Sequence, residues 1–198
     1  FDGSWEVRGD DTIEIKGIHW KISELLEGSP YKDRFAGGKW MHSFLGPADY
    51  HRQHAPVGGR VLESRDIMGD VYLEVTAVPD PASGRNRLEA KRVNTFDAPD
   101  NPGYEFMQNR GLVVLDSPIG LVAVLPMGMG QVSSVIMTAE VGKVLRKGEE
   151  ISYFQFGGSD IVMVFEAACN VNFTARPGVH YKVGTKIGEA YPTIYPAR

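Results

Sequence analysis

A glycine pair followed by a serine interrupts two apolar runs near the C-terminal end of the chain, within Phe154–Asp160. The aromatic run before it and the run Ile161–Phe165 after it predict two strands joined by a turn. Gly157 and Gly158 can adopt backbone angles that are closed to other residues, which permits a sharp turn. The sequence therefore predicts local β-structure in which Ser159 comes directly after a strained turn.

Strand patterns dominate the rest of the chain, and only one short helix is predicted, at Ile22–Leu26. Val141–Ile151 and Pro177–Ile187 have similarly spaced glycines, which predicts hairpins in two related halves of a small, curved β-sandwich. Pro79–Pro102 is rich in proline and charge and predicts a surface loop. Further strands are predicted at Thr12–Lys16, Lys39–Leu45, Val57–Ser64, Gly111–Leu115, Leu121–Leu125 and Val132–Thr138. We expect a mostly-β, α+β single domain over residues 1–198.

Composition excludes several classes of function. The chain has 198 residues, 42% of them hydrophobic, and a net charge of −4, so no basic field favours nucleic acid. No run approaches the roughly 20 apolar residues that cross a bilayer, so membrane contact is not predicted for this chain. A single cysteine, Cys169, fits a reducing compartment and predicts a cytoplasmic location. Because the chain begins at Phe1 in what reads as mid-strand, we expect a further segment upstream.

The position of Ser159 permits an unusual reaction. A strained turn can direct its hydroxyl at the carbonyl carbon of Gly158, and attack there replaces the amide by an ester. Removal of the Ser159 α-proton then expels the Gly158 carboxylate and leaves dehydroalanine, which hydrolyses to a pyruvoyl group. The chain would become two pieces, residues 1–158 and 159–198. The alternative is an ordinary hairpin turn, for which Gly-Gly-Ser-Asp is common chemistry.

A histidine pair about a hundred residues upstream, His51 and His54, supplies a candidate base. The same H-x-x-H spacing binds metal when it is helical. Pro47 and Pro56 disfavour a long helix, and no third ligand stands out, so a metal is not predicted. Three other histidines are interpreted as ordinary core or surface residues: His19, His42 and His180.

Several stretches, in the same order, resemble the phosphatidylserine decarboxylase family of pyruvoyl-dependent decarboxylases. The most specific is Phe44–Gly59, which resembles "FLxPxDYHRxHxPVxG". Lys16–Leu26 resembles "KGxxYSLxxLL", and Phe35–Gly38 resembles "F-x-G-G". Asn109–Arg110 is similar to a shortened Asn-Glu-Arg, and Phe154–Ser159 occupies the place of the self-cleaving Gly-Ser. The Phe-Gly-Gly-Ser sequence is closer to the soluble branch, which includes aromatic amino-acid decarboxylases.

The resemblance implies a role for each matching residue. Ser159 is the precursor of the pyruvoyl cofactor, and Gly158 is released as a carboxylate. His54 works with an aspartate in self-cleavage, and His51 has a supporting role near the substrate. The aspartate belongs to an Asp-Gly motif, for which Asp2 is the candidate in this chain, or it lies upstream of Phe1. Asp160 departs from the family, which usually has Thr or Ser after the cleaved serine.

The resemblance implies an enzyme that converts a small L-amino acid, for example tryptophan, to its amine and CO2 through a Schiff base with the pyruvoyl group. It also implies that the two self-cleaved chains stay associated, and it leaves a homo-oligomer open. The first alternative is decarboxylation of phosphatidylserine to phosphatidylethanolamine. An alternative of another class is a non-enzymatic carrier of the biotinyl or lipoyl type, because the repeated glycine turns resemble those curved sandwiches.

Overall fold

The computed structural model describes residues 1–15, 18–46, 48–69, 75–79, 81, 86–90, 108–128, 135–155 and 160–192. Over these residues it is mostly β-structure with little helix, as predicted. The first elements are β1 (Gly3–Glu6), β2 (Thr12–Ile15), β3 (Ile18–Lys21), α1 (Ile22–Leu25), β4 (Lys39–Phe44), β5 (Arg52–His54), β6 (Gly59–Ile67), β7 (Val75–Pro79) and β8 (Asn86–Ala90). They are followed by β9 (Arg110–Ser117), β10 (Gly120–Met127), β11 (Val135–Met137), β12 (Val144–Leu145), β13 (Glu150–Phe154), β14 (Asp160–Phe165), β15 (Val171–Phe173) and β16 (Gly188–Ala190). Short 3-10 turns lie at Lys32–Arg34 and Ala167–Cys169.

Among the described residues, the largest sheet has seven antiparallel strands in the order β1-β4-β14-β10-β9-β6-β12. A second sheet has the order β11-β13-β5. The strand β14 therefore lies inside the large sheet, between β4 and β10, although it is close to the C-terminus. The sequence correctly predicted Ile161–Phe165 as a buried strand.

Both faces of the large sheet are covered, which explains why its central strands β9, β10 and β14 contain continuous apolar runs instead of alternating ones. One face packs on α1 and the β2–β3 hairpin, through Ile13, Trp20 and Leu25. The other face packs on the second sheet and its flanking loops, through Ala55 and Ile151. The large sheet therefore has one apolar layer on each face.

The predicted hairpin at Val141–Ile151 is wrong. The strand β12 pairs with β6, whereas β13 pairs with β5 and β11. The other predicted hairpin, Pro177–Ile187, contains turns instead of paired strands. What the two segments share is their turn glycines, because Gly142 and Gly148 have φ of 89° and 87°, and Gly178 and Gly184 have φ of 76° and 84°.

The predicted loop Pro79–Pro102 contains a strand. Residues Asn86–Ala90 form β8, which pairs with β7 across a short connection. Residues 80, 82–85 and 91–102 of that loop lie outside the described residues. Within the described part of the chain, none of the helices has the length and apolar character needed to cross a membrane.

Cys169 is fully buried beneath the large sheet, and its thiol donates to the carbonyl of Leu121 at 3.4 Å. Burial, with a further contribution from the charge of Glu166, raises the pKa of this thiol to about 12. A thiol in this environment is inert, because the thiolate is the reactive form. Cys169 is therefore a small apolar core residue.

The second glycine of Phe35–Gly38 is required by close packing. The carbonyl oxygen of Gly38 accepts from Val7 N–H at 2.8 Å, and a Cβ on Gly38 would overlap the carbonyl oxygen of Phe165 in β14. That Cβ would also lie 2.9 Å from the carbonyl oxygen of Phe35. The backbone of β14 and the start of β4 can approach this closely only when residue 38 has no side chain.

We expect Gly38→Ala to destabilise the fold by about 3 kcal/mol, because the new methyl group must push two backbone carbonyls apart. Gly9→Ala is the matched control, since a Cβ at Gly9 meets nothing within 4 Å. That control should change stability by less than about 0.5 kcal/mol. Thermal melting of the two variants tests the expectation, and equal melting temperatures would contradict it.

Candidate functional site

The pairing of β5 with β13 brings the two marked sequence motifs together. Arg52 is opposite Tyr153 in the register, and the N–H of Phe154 donates to the carbonyl of His51 at 3.1 Å. The histidine segment is thus extended, as its flanking prolines indicated. His51 is level with the end of β13, the strand that leads into the Gly-Gly-Ser segment. His54 lies at the opposite end of β5.

His51 has one ring nitrogen fixed and one available. Its Nδ1 lies 2.5 Å from the carbonyl oxygen of Asp49, which can only accept, so Nδ1 bears the proton. In the neutral ring Nε2 then carries a lone pair. Nε2 is buried and has no hydrogen-bond partner among the described residues. The edge of the ring packs on Phe154, with centroids 6.3 Å apart. This nitrogen can accept or deliver a proton.

His54 is oriented by two contacts. Its Nδ1 lies 2.8 Å from the carbonyl oxygen of Gly148, so this nitrogen also bears the proton. Its Nε2 therefore accepts from the hydroxyl of Tyr50, at 2.7 Å, and the two rings stack. Tyr50 is half-exposed, so its hydroxyl can leave Nε2 by a side-chain rotation. Nε2 is therefore the basic nitrogen of His54, and the Tyr50 hydroxyl that covers it can move away.

The loop before the histidines is fixed by Asp49. Its carboxylate accepts from the N–H of Gly46 at 2.8 Å and contacts Nε2 of His180 at 2.9 Å. The Gly46 N–H, followed by His180, holds the pKa of Asp49 below its ordinary value. Asp49 therefore ties the histidine segment both to its own turn and to the C-terminal part of the chain.

Asp2, the predicted partner of His54, contacts a different histidine. Its carboxylate lies 3.0 Å from Nδ1 of His42 and accepts from the N–H of Phe44 at 2.7 Å. Partial burial opposes ionisation of Asp2, but the bonds from His42 and Phe44 outweigh it and lower the pKa of Asp2 below its ordinary value. Asp2 is thus a carboxylate at the end of β1, held against β4.

His42 was missed as a site residue because it was interpreted as an ordinary core or surface histidine. It is buried, its ring stacks on Trp40 at 5.8 Å, and its Nε2 lies 3.1 Å from the carboxylate of Asp160. Asp160 is fully buried and directly follows Ser159 in the sequence. Asp160, an acidic residue directly after the serine, was the one feature of the sequence that indicated a basic partner nearby.

The predicted cleavage residues, Gly158 and Ser159, lie outside the described residues. Their described neighbours are the ends of two strands, because β13 ends at Phe154 and β14 begins at Asp160. Met127 is buried and opposite Asp160 in the register of β10 and β14. The site therefore lies at one end of the large sheet, where β4, β14 and β10 are adjacent.

Arg110, from the short Asn-Arg match, has a structural role. Its guanidinium is buried and donates to the carbonyl oxygens of Leu25, Glu24 and Gln108 at 2.8, 3.1 and 2.8 Å. These bonds satisfy the C-terminal carbonyls of α1 and fix the helix on the sheet. Burial lowers the pKa of Arg110 to about 10, so the group remains charged at neutral pH.

Comparison with known proteins gives a consistent result. A profile of the family described as phosphatidylserine decarboxylase matches residues 2–189. The chain is 32% identical, over 78% of its length, to phosphatidylserine decarboxylase proenzyme 3 of Schizosaccharomyces pombe, but covers 14% of that protein. It is 31% identical over 94% of its length to decarboxylase iboD of Amanita muscaria, of which it covers 55%. It is 24% identical over 89% of its length to L-tryptophan decarboxylase of Psilocybe cubensis, of which it covers 40%.

The chain thus spans about half, or less, of the length of these relatives. The profile nevertheless extends over almost all of the chain, from Asp2 to Glu189, and includes every residue of the site described above. The chain belongs to the phosphatidylserine decarboxylase family.

Proposed function

We propose that the protein is a self-processing, pyruvoyl-dependent decarboxylase that cleaves itself between Gly158 and Ser159. The observation that carries this proposal is the pairing of β5 with β13, which brings His51 level with Phe154, at the end of the strand that leads to Ser159. The matched relatives are named decarboxylases, which are carboxy-lyases, and several are named proenzymes. Family membership also favours this function over the carrier alternative.

The fold supports association of the two pieces after cleavage. Residues 159–198 contain β14, which pairs with β4 on one side and with β10 on the other. Val162 and Val164 of β14 are fully buried in the apolar layer beneath α1. Because removing this strand would expose that layer and unpair two neighbours, the C-terminal piece stays in the sheet without a covalent link.

The described residues fit a pyruvoyl group at position 159. A pyruvoyl group supplies a ketone that captures a primary amine and accepts the electron pair released when CO2 leaves. The buried, unpaired Nε2 of His51 is suited to return a proton to the substrate carbon. Nε2 of His54, with its tautomer fixed by Gly148, is suited to remove protons during self-cleavage. Asp2 is ionised and lies two strands from Asp160, which fits an electrostatic role in the same site.

We propose that the substrate is a free aromatic L-amino acid such as tryptophan. Two matched relatives, from Psilocybe cubensis and Psilocybe cyanescens, are named L-tryptophan decarboxylases. Phosphatidylserine is the second candidate, because other matched relatives are named phosphatidylserine decarboxylase proenzymes. A cytoplasmic location and a homo-oligomer stay predictions, which cell fractionation and size-exclusion chromatography would test.

Two measurements on the wild-type protein test the proposal. Mass measurement under denaturing conditions should find fragments 1–158 and 159–198, with the second blocked to N-terminal sequencing and reactive with hydroxylamine. The processed protein should then release CO2 from free tryptophan, with tyrosine, serine and phosphatidylserine vesicles tested in parallel. Release from the lipid alone would support the second candidate. An unbroken chain without a trappable carbonyl would overturn self-processing.

A further inference from the structure

We propose that His42 is a positioning residue, which holds the second residue of the C-terminal product, Asp160, against the N-terminal product. This inference rests on the proposed function, because it concerns the same cleavage. We call Asp2, His42 and Asp160 the carboxylate–imidazole clamp. Neither His42 nor Asp160 was assigned a role in the site from the sequence.

The geometry of the clamp is set by three adjacent strands. Asp2 precedes β1, His42 is in β4 and Asp160 begins β14, so β4 carries the imidazole between two carboxylates. Nδ1 of His42 is 3.0 Å from Asp2, and Nε2 is 3.1 Å from Asp160. The N–H of Phe44, which is opposite Asp160 in the register, also donates to Asp2. The three strands are therefore joined at one level by side chains as well as by their backbones.

The charges of the clamp are complementary. A neutral imidazole has one N–H and would direct a lone pair at one of the two carboxylates, whereas an imidazolium donates from both nitrogens. The Trp40 ring, stacked on His42, presents its negative face to that charge. Asp160 is fully buried, and a buried carboxylate is tolerated only when it is paired. His42 thus makes an acidic residue acceptable at a position where the family usually has Thr or Ser.

The consequence concerns residue 159, which is bonded directly to Asp160. Cleavage frees the chain at residue 159, so its position afterwards depends on how firmly Asp160 is held. Asp2 and His42 belong to fragment 1–158, and Asp160 belongs to fragment 159–198, so the clamp crosses the cut. Because a displacement of about 1 Å in a reacting group can cost about 100-fold in rate, loss of the clamp should slow both self-cleavage and decarboxylation.

The test compares four variants with the wild type during cell-free synthesis, where the intact and cleaved chains are followed over time. His42→Ala and Asp160→Ala should each slow cleavage by about 100-fold. Asp160→Asn keeps the size of the side chain but removes its charge, so it should slow cleavage about as much as Asp160→Ala, because the 3.1 Å contact with Nε2 of His42 is an ion pair. Arg34→Ala is the matched control: it breaks the ion pair of the exposed Arg34 with Glu166, which also crosses the cut, and should leave the rate unchanged within about twofold.

Two further measurements separate positioning from general stability. The double variant His42→Ala/Asp160→Ala should be no slower than the slower single variant, because both changes break one contact. In the cleaved fraction of His42→Ala, kcat should fall while KM for the substrate stays within about twofold. Melting temperatures identify any variant that does not fold. If His42→Ala is one of them, the cleavage rate of Asp160→Asn compared with the wild type decides the question.

The outcomes are distinguishable. A wild-type chain that stays intact overturns the proposed function, and the role of the clamp with it. A cleaved wild type, with a folded His42→Ala variant that matches it in cleavage rate and kcat, overturns the clamp alone. Asp160→Asn as fast as the wild type also overturns it, because the contact would then not act through the charge of Asp160.

Discussion

Ser159→Ala is expected to leave the chain in one piece and without decarboxylase activity. Alanine has no hydroxyl to attack the carbonyl of Gly158, so no ester forms, and neither a cut nor a carbonyl group follows. The rest of the fold should be unaffected, since the strands on either side, β13 and β14, pair through their backbones. Denaturing mass measurement should find only the full-length chain, and hydroxylamine should add no mass.

The matched control for this change is Ser152→Ala in β13. The hydroxyl of Ser152 is buried and donates to Oε1 of Gln53 at 2.7 Å, so its loss should cost about 1–3 kcal/mol of stability. That variant should nevertheless cleave itself, because the attacking hydroxyl remains. A cleaved Ser159→Ala chain would identify a different nucleophile, and an intact Ser152→Ala chain would mean that lower stability alone prevents processing.

The sequence predicted individual strands well but not their partners. Gly111–Leu115 was expected to be a strand because a continuous β-branched and aliphatic run follows its glycine, and that run is buried on both faces. The glycine turn at Gly148 was also expected, but the strands on its two sides pair with β6 and β5 instead of each other. A local pattern indicates where the chain turns, whereas pairing between distant strands depends on the packing of the whole sheet.

The same limit applies to the site. His51 and His54 were predicted as site residues because the family motif marks them, and Asp2 because it precedes a glycine near the start. The contact of Asp2 with His42 was not predicted, because it depends on the register between β1 and β4. Alternation along β4 indicates that Trp40 and His42 share a face, but it does not say that Asp160 of β14 lies opposite. Charges on separate strands can be matched only once the strand order is known.

His54→Ala is expected to slow self-cleavage by at least about 100-fold, the typical contribution of a positioned general base. We expect Nε2 to be the nitrogen that acts, because the Gly148 carbonyl fixes the proton on Nδ1 and leaves the lone pair on Nε2. His51→Ala should act differently. It removes the buried Nε2 that we assign to substrate protonation, so this chain should still cleave while its kcat falls by a similar factor. Time courses of cleavage, followed by steady-state kinetics of the cleaved fraction, measure both effects.

Tyr50→Phe is the control for the His54 variant, because it removes the hydroxyl on Nε2 but keeps the ring that stacks on the imidazole. If that hydroxyl only covers the base, the variant should cleave at least as fast as the wild type. If the His54→Ala chain cleaves rapidly and the His51→Ala chain stays intact, the two roles are exchanged. His51 would then be the base in self-cleavage, and His54 would protonate the substrate. The position of His51 level with Phe154, nearer in register to the cut than His54, would then be the physical reason.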